Sequence, residues 1–149
     1  EQIINQAFQF HSQGNILEAA KYYQLLITQG CNDHRVFSNY GIILKDLSKL
    51  KEAELSFCKA TEIKPDYAEG HSNLGNILKD LGKFEDAERS YRKAIEIKPD
   101  YAEAYFNLGI LLRILGKFKD AKLCSEKIMS LRSWSILGSY SFNAEMKLD

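Results

Sequence analysis

Between residues 71 and 97 apolar side chains recur three and four apart on either side of one short polar break: Leu74, Ile77, Leu78 and Leu81, then Phe84, Ala87, Tyr91 and Ala94. That spacing gathers each set on one face of a helix, so the segment predicts two amphipathic helices joined by a tight turn at Gly82 and Lys83. Proline cannot continue an interior hydrogen-bond ladder and restricts the residue before it, so Pro65 and Pro99 are expected to end the helices that precede them. Asp66 with Glu69, and Asp100 with Glu103, then read as D-x-x-E capping boxes for the helices that follow.

The pattern is periodic. PDYAE occurs at 65–69 and again at 99–103, an offset of 34 residues, which is the length of a helical repeat. Carried both ways, the offset aligns Ala7, Gly41, Gly75 and Gly109; Gly14, Ser48, Gly82 and Gly116; and Ala19, Ala53, Ala87 and Ala121. A bulky column (Ile16, Leu50, Phe84, Phe118) and an aromatic one (Tyr23, Phe57, Tyr91) run with them. The chain is therefore one domain, 1–149, with units over about 1–33, 34–67, 68–101 and 102–132. Small residues at Gly75 and Ala87 let the two helices of a unit approach closely, and Gly82 supplies the turn between them. After Leu131 the phase is lost. Residues 133–149, with Trp134, Ile136, Leu137, Tyr140, Phe142 and Met146, are expected to form a capping helix over the apolar end of the fourth unit. The alternatives are a tail that docks into a neighbouring molecule or leads into a further domain.

His71, Leu74, Gly75, Leu78, Ala87, Tyr91 and Pro99 stand where the tetratricopeptide family has its W-x2-L-G-x2-Y, A-x3-F and P landmarks, and the chain resembles that family over roughly residues 1–132. The end units depart from it, with Gln6 and Ala7 for Leu-Gly, Cys31 for proline, and Ser125 for the aromatic. The resemblance implies an all-α, right-handed solenoid of tandem helix-turn-helix repeats with a C-terminal capping helix.

In such a stack the first helices line the concave wall, and residues 34 apart on them form ladders along the groove. One ladder is Asn5, Asn39, Asn73 and Asn107. An amide offers both a donor and an acceptor, so a row of them can bond the N–H and C=O groups of an extended peptide whatever its side chains. The column is similar to one in the repeat region of O-linked N-acetylglucosamine transferase, where the matching asparagines grip peptide backbone. A second ladder, His11, Lys45, Lys79 and Arg113, would favour acidic peptides, although Asp46 and Asp80 beside it could neutralise it. Phe106, Ile110 and Ile114 lie four apart in the fourth unit and are expected on the concave side as an apolar anchor site. Glu88, on a second helix, is expected to face outward. The carboxylate clamp of chaperone-binding repeats is absent, because its positions hold Ser38, Ile42, Asn73, Glu103 and Asn107.

Charge narrows the partner class. The 149 residues carry 20 Lys plus Arg and 20 Asp plus Glu, and a chain without a basic surplus lacks the footprint of non-specific nucleic-acid binding. Cys31, Cys58 and Cys124 are odd in number with no CxxC spacing, which argues against a disulfide framework or a zinc site and for a reducing, cytoplasmic compartment. No apolar run reaches membrane-span length, and the start EQIINQAFQF lacks a signal-peptide pattern; the chain begins at Glu1 rather than Met, which leaves room for residues upstream. His11, His34 and His71 show no metal-ligand spacing and no phosphate loop appears, so no catalytic residue, metal or cofactor is implied. His71 and the cysteines read as packing residues. The expected function is a scaffold that binds an extended peptide or partner protein in its groove. Its rivals are the substrate-recruiting region of a larger transferase and a self-assembly module in which the tail of one chain fills the groove of another, giving a homo-oligomer.

Overall fold

The computed structural model describes the backbone of residues 1–145 and the side chains of residues 1–133. Its described residues form eight helices in antiparallel pairs: α1 (Gln2–Ser12) with α2 (Ile16–Thr28), α3 (His34–Asp46) with α4 (Leu50–Ile63), α5 (Ala68–Asp80) with α6 (Phe84–Ile97), and α7 (Ala102–Ile114) with α8 (Phe118–Glu145). Each pair also packs on the next, giving a right-handed solenoid. α5 also touches α7 directly, which puts first helices on the inner side at that junction.

Within a unit the contact is made by a ring over a small residue. Tyr23, Phe57 and Tyr91 are buried, and each turns its ring toward the Ala7, Gly41 or Gly75 column. A Cβ placed on Gly75 would lie 2.7 Å from the Tyr91 ring, and one on Gly41 would lie 2.9 Å from Phe57. Glycine at these positions is what lets the two helices come this close. Three apolar clusters, around Tyr23, Phe57 and Tyr91, run into one another along the stack rather than forming one central core.

The intra-unit turns share one geometry. Gly14, Ser48, Gly82 and Gly116 all have positive φ. In the third unit Gly82 N–H donates to Lys79 O and Lys83 N–H to Leu78 O, the pair of bonds that closes a helix through a left-handed residue. At Ser48, φ 60°, the same bonds run from Ser48 N–H to Lys45 O and from Lys49 N–H to Leu44 O, but serine carries a Cβ in a region that penalises one. Ser48→Gly is therefore expected to stabilise the chain by about 0.5–1 kcal/mol, the relief of strain exceeding the entropy glycine adds to the unfolded state. Thermal denaturation checks it: a lower melting temperature would place the strain elsewhere.

Two features differ from expectation. The helices after Pro65 and Pro99 start at Ala68 and Ala102, with Tyr67 and Tyr101 as N-caps and no side-chain cap bond, so the D-x-x-E boxes are not made. Asp66 and Asp100 fall in turns ahead of the helices, while Glu69 and Glu103 still lie in the first turns, where the helix dipole favours an acid. The two tyrosines instead hold the junctions: Tyr67 OH lies 3.4 Å from Ser38 Oγ, across the boundary between the second and third units. The copied pair is Ser72 and Tyr101. Ser72 Oγ is buried without a hydrogen bond of good geometry, yet it is near enough to hold back the rise that burial gives the Tyr101 phenol. The second difference is at the C-terminus, where the backbone of α8 continues unbroken to Glu145 instead of turning into a separate helix after Leu131. The side chains of the cap expected over 133–149 lie outside the described residues, apart from Ser133.

Candidate functional site

The asparagine ladder occupies one register on each first helix. Asn39 on α3, Asn73 on α5 and Asn107 on α7 are half-buried, and Asn5 on α1 is exposed. Their chemistry is not equal. Tyr23 OH lies 3.1 Å from His11 Nδ1; burial pushes the phenol up, and the nearby Asn39 offsets part of that rise. Burial pushes His11 below its ordinary pKa, with Asp46 pulling partly back. His11 is thus a weaker cation than the lysines and arginine of its column. Asn73 and Asn107 have no side-chain hydrogen bond among the described residues, so their amides are open to a ligand.

The remaining cations are also open. Lys45 and Arg113 are exposed and Lys79 is half-buried, and none has an ion-pair partner among the described residues; Asp46 and Asp80 do not close on them. On the first helices, then, Asn73, Asn107, Lys45, Lys79 and Arg113 have no side-chain partner among the described residues.

The other side of the stack is closed by charge. Lys83 Nζ lies 2.7 Å from Glu54, and 34 residues on Lys117 Nζ lies 2.8 Å from Glu88, so each pair bridges two units. Glu88 is also bonded by Arg92, and Lys117 followed by Arg92 holds its carboxyl below the usual range. It does not reach the inner wall, but it is not the free surface residue expected: only 15 % of its side chain is exposed.

The stripe Phe106, Ile110 and Ile114 is exposed, at 59 %, 36 % and 57 %. Its place differs from expectation. Phe106 stands in the register of Ser38 and Ser72, which are buried at unit junctions, and Phe106 and Ile110 line a cleft against Ala121, Cys124, Ser125 and Ile128 of α8. That surface is the C-terminal face of the fourth unit, which no further unit covers among the described residues, and Ile114 stands in the register of the exposed Asp80.

A polar pair was missed from sequence. Tyr91 OH donates to Asn76 Oδ1 at 2.6 Å, fixing the ring. The signal lay in the columns: where the ring is Phe57 and has no hydroxyl, the position matching Asn76 is Ile42. The histidines and cysteines pack. His71 Nε2 donates to Pro65 O at 2.9 Å, and His34 meets the edge of Tyr67. Cys124 is buried, Cys31 half-buried and Cys58 exposed; burial pushes the Cys58 and Cys124 thiols up, away from the nucleophilic thiolate. Among the described residues no three His, Cys, Asp or Glu side chains converge as a metal site, and no helix is long and apolar enough to cross a membrane.

Family models match these same units. One described as "Tetratricopeptide repeat" covers 34–67 and 102–133, and one described as "TPR repeat" covers 75–116. The chain belongs to the tetratricopeptide repeat family. A search of curated proteins finds no match. Among solved structures the chain is similar to MamA, at 17 % identity over 90 % of this chain and 78 % of that one, with a TM-score of 0.85. It is similar to YrrB, described as a TPR protein with an unusual peptide-binding site, at 18 % identity over 95 % and 73 %, with a TM-score of 0.80. A Thermobaculum terrenum O-GlcNAc transferase mutant matches at 22 % identity and a TM-score of 0.67, over 74 % of this chain but only 21 % of that one. At these identities the likeness is one of fold. Tetratricopeptide repeats make protein-interaction scaffolds, and this chain is built as one.

Proposed function

We propose that the inner wall holds an extended polypeptide, with Asn73 and Asn107 bonding its backbone and Asn5 and Asn39 continuing the track. The observation that carries this reading is the pair of half-buried, in-register amides on α5 and α7 that bond no other side chain among the described residues. Each amide keeps a free donor and a free acceptor, which the N–H and C=O groups of a peptide can engage. Lys45, Lys79 and Arg113 favour acidic residues in that peptide. Asn73→Ala is expected to weaken binding by about 0.5–1.5 kcal/mol across an array of random-sequence synthetic peptides, with the melting temperature nearly unchanged. Glu85→Ala, an exposed position on α6, is the control, since Glu88 bridges two units. Loss confined to a few sequences, or equal loss from the control, would move the site off this wall. In a longer protein the same wall would recruit substrates to a transferase, and the asparagine ladder is what supports that second reading.

A further inference from the structure

The last unit departs from the others at one coherent surface. In the first three units the ring of Tyr23, Phe57 or Tyr91 fills the slot over the small residue of the first helix. The fourth keeps the small residue, Gly109, but has Ser125 in place of the ring. A Cβ on Gly109 would meet Cys124 Cβ at 3.4 Å, an ordinary contact, where one on Gly75 would strike Tyr91. The slot is open: a cleft of about 90 Å³ lined by Phe106, Gly109, Ile110, Ser125 and Ile128 among others.

Neighbouring columns change with it. The α5 positions Ser72, Asn76 and Asp80 become Phe106, Ile110 and Ile114 on α7. The serine that meets the tyrosine of the next unit at two junctions is replaced by an apolar ring with no hydroxyl to offer. Glu54 and Glu88, which receive Lys83 and Lys117 of the following unit, become Lys122. Lys122 pairs only at 3.7 Å with Glu126 on its own helix and is exposed. Another unit of the same kind would bring a lysine against Lys122 and a tyrosine hydroxyl against Phe106.

We propose that this end face binds the amphipathic helix of a partner protein, one that inserts an aromatic side chain over Gly109 and sets a carboxylate against Lys122. The face continues the junctions already present in the chain, each made by laying a helix such as α7, with Ala104, Leu108, Leu111 and Leu112 inward, on the preceding unit. The sign change at Lys122 selects an acidic occupant. A second copy of this chain fits poorly. The outer face of α1 is polar, with Gln2, Gln6, Gln9 and Gln13 exposed, and Gln6 stands where Leu74 and Leu108 do.

The test uses the full chain and a synthetic helical peptide with leucines at the spacing of Leu108, Leu111 and Leu112, one phenylalanine and a glutamate-rich outer face. Ser125→Tyr restores the ring, so it should raise the melting temperature by about 3 °C or more while weakening the peptide at least about tenfold. Lys122→Glu should weaken it about threefold to fivefold and remove the preference over a lysine-rich version of the same peptide. Phe106→Ser, which returns the residue of the second and third units, is the alternative variant if Ser125→Tyr does not fold, and should also weaken binding about tenfold. A higher melting temperature with unchanged binding overturns the proposal, as do failure of the acidic peptide to bind and equal binding of the lysine-rich peptide. Concentration-dependent dimers that Ser125→Tyr abolishes would assign the face to a second copy instead. Extended peptides on the inner wall are unaffected by Ser125→Tyr if the two sites are separate, so failure of one reading does not carry the other.

Discussion

Tyr91→Ala is expected to lower the unfolding free energy by about 3–5 kcal/mol, the range for removing a fully buried aromatic side chain. Tyr91 has no exposed surface, and its cluster joins α6 to α5, α7 and α8, including Leu78, Ala87, Leu108 and Cys124. Its hydroxyl also satisfies Asn76 Oδ1, so truncation both empties a cavity and strands an acceptor. Tyr91→Phe separates the two terms: it keeps the ring, removes the bond, and should cost about 0.5–1.5 kcal/mol. Urea denaturation gives both numbers, and a Tyr91→Ala loss under about 1 kcal/mol would contradict the placement of this ring at the centre of the third unit.

Gly75→Leu is expected to destabilise by about 1–3 kcal/mol through overpacking. Even the first atom of the new side chain would lie 2.7 Å from two atoms of the Tyr91 ring, which the bond to Asn76 prevents from swinging aside. The matched substitution one unit on has the opposite sign. Gly109→Ala meets only an ordinary contact and gains the helix propensity that glycine lacks, so it should stabilise by up to about 1 kcal/mol. In the double variant with Tyr91→Ala, the Gly75→Leu penalty should shrink, because the colliding ring is gone. Strict additivity, or equal effects at Gly75 and Gly109, would show that the ring-over-glycine contact does not set the helix spacing.

The periodic part of this architecture was legible because each repeated position has one dominant physical duty. Gly75 needs room for a ring, Gly82 a left-handed turn, Ala87 a close helix contact, and these duties force the same residues every 34 positions. Positions with two competing uses were not legible. Asp66 and Glu69 have the spacing of a capping box, but Tyr67 between them is drawn toward Ser38 and takes the cap position itself. Asn39 has the spacing of a ligand residue, yet it also stands near the Tyr23 hydroxyl, a proximity no linear pattern announces. Phe106 was placed on the correct helix and its exposure follows, yet the α7 periodicity could not separate the inner wall from the bare end of the stack. That distinction came from asking what covers the same column in the unit before.

The ring that seals three units and is missing from the fourth also sets an order of events in time. A stack in which every unit leans only on its neighbours melts as a one-dimensional lattice, where terminal cells have one supporting edge and interior cells two. Here the terminal cell α7–α8 has also lost its internal fastener, since Ser125 leaves Gly109 uncovered, while α5–α6 keeps ring, hydroxyl bond and both edges. Opening therefore starts at the C-terminal unit and travels inward, leaving the third unit as the last to exchange its amide protons. An occupant of the end face would act as a stopper on that unravelling, turning an equilibrium of binding into a clock for the lifetime of the whole array.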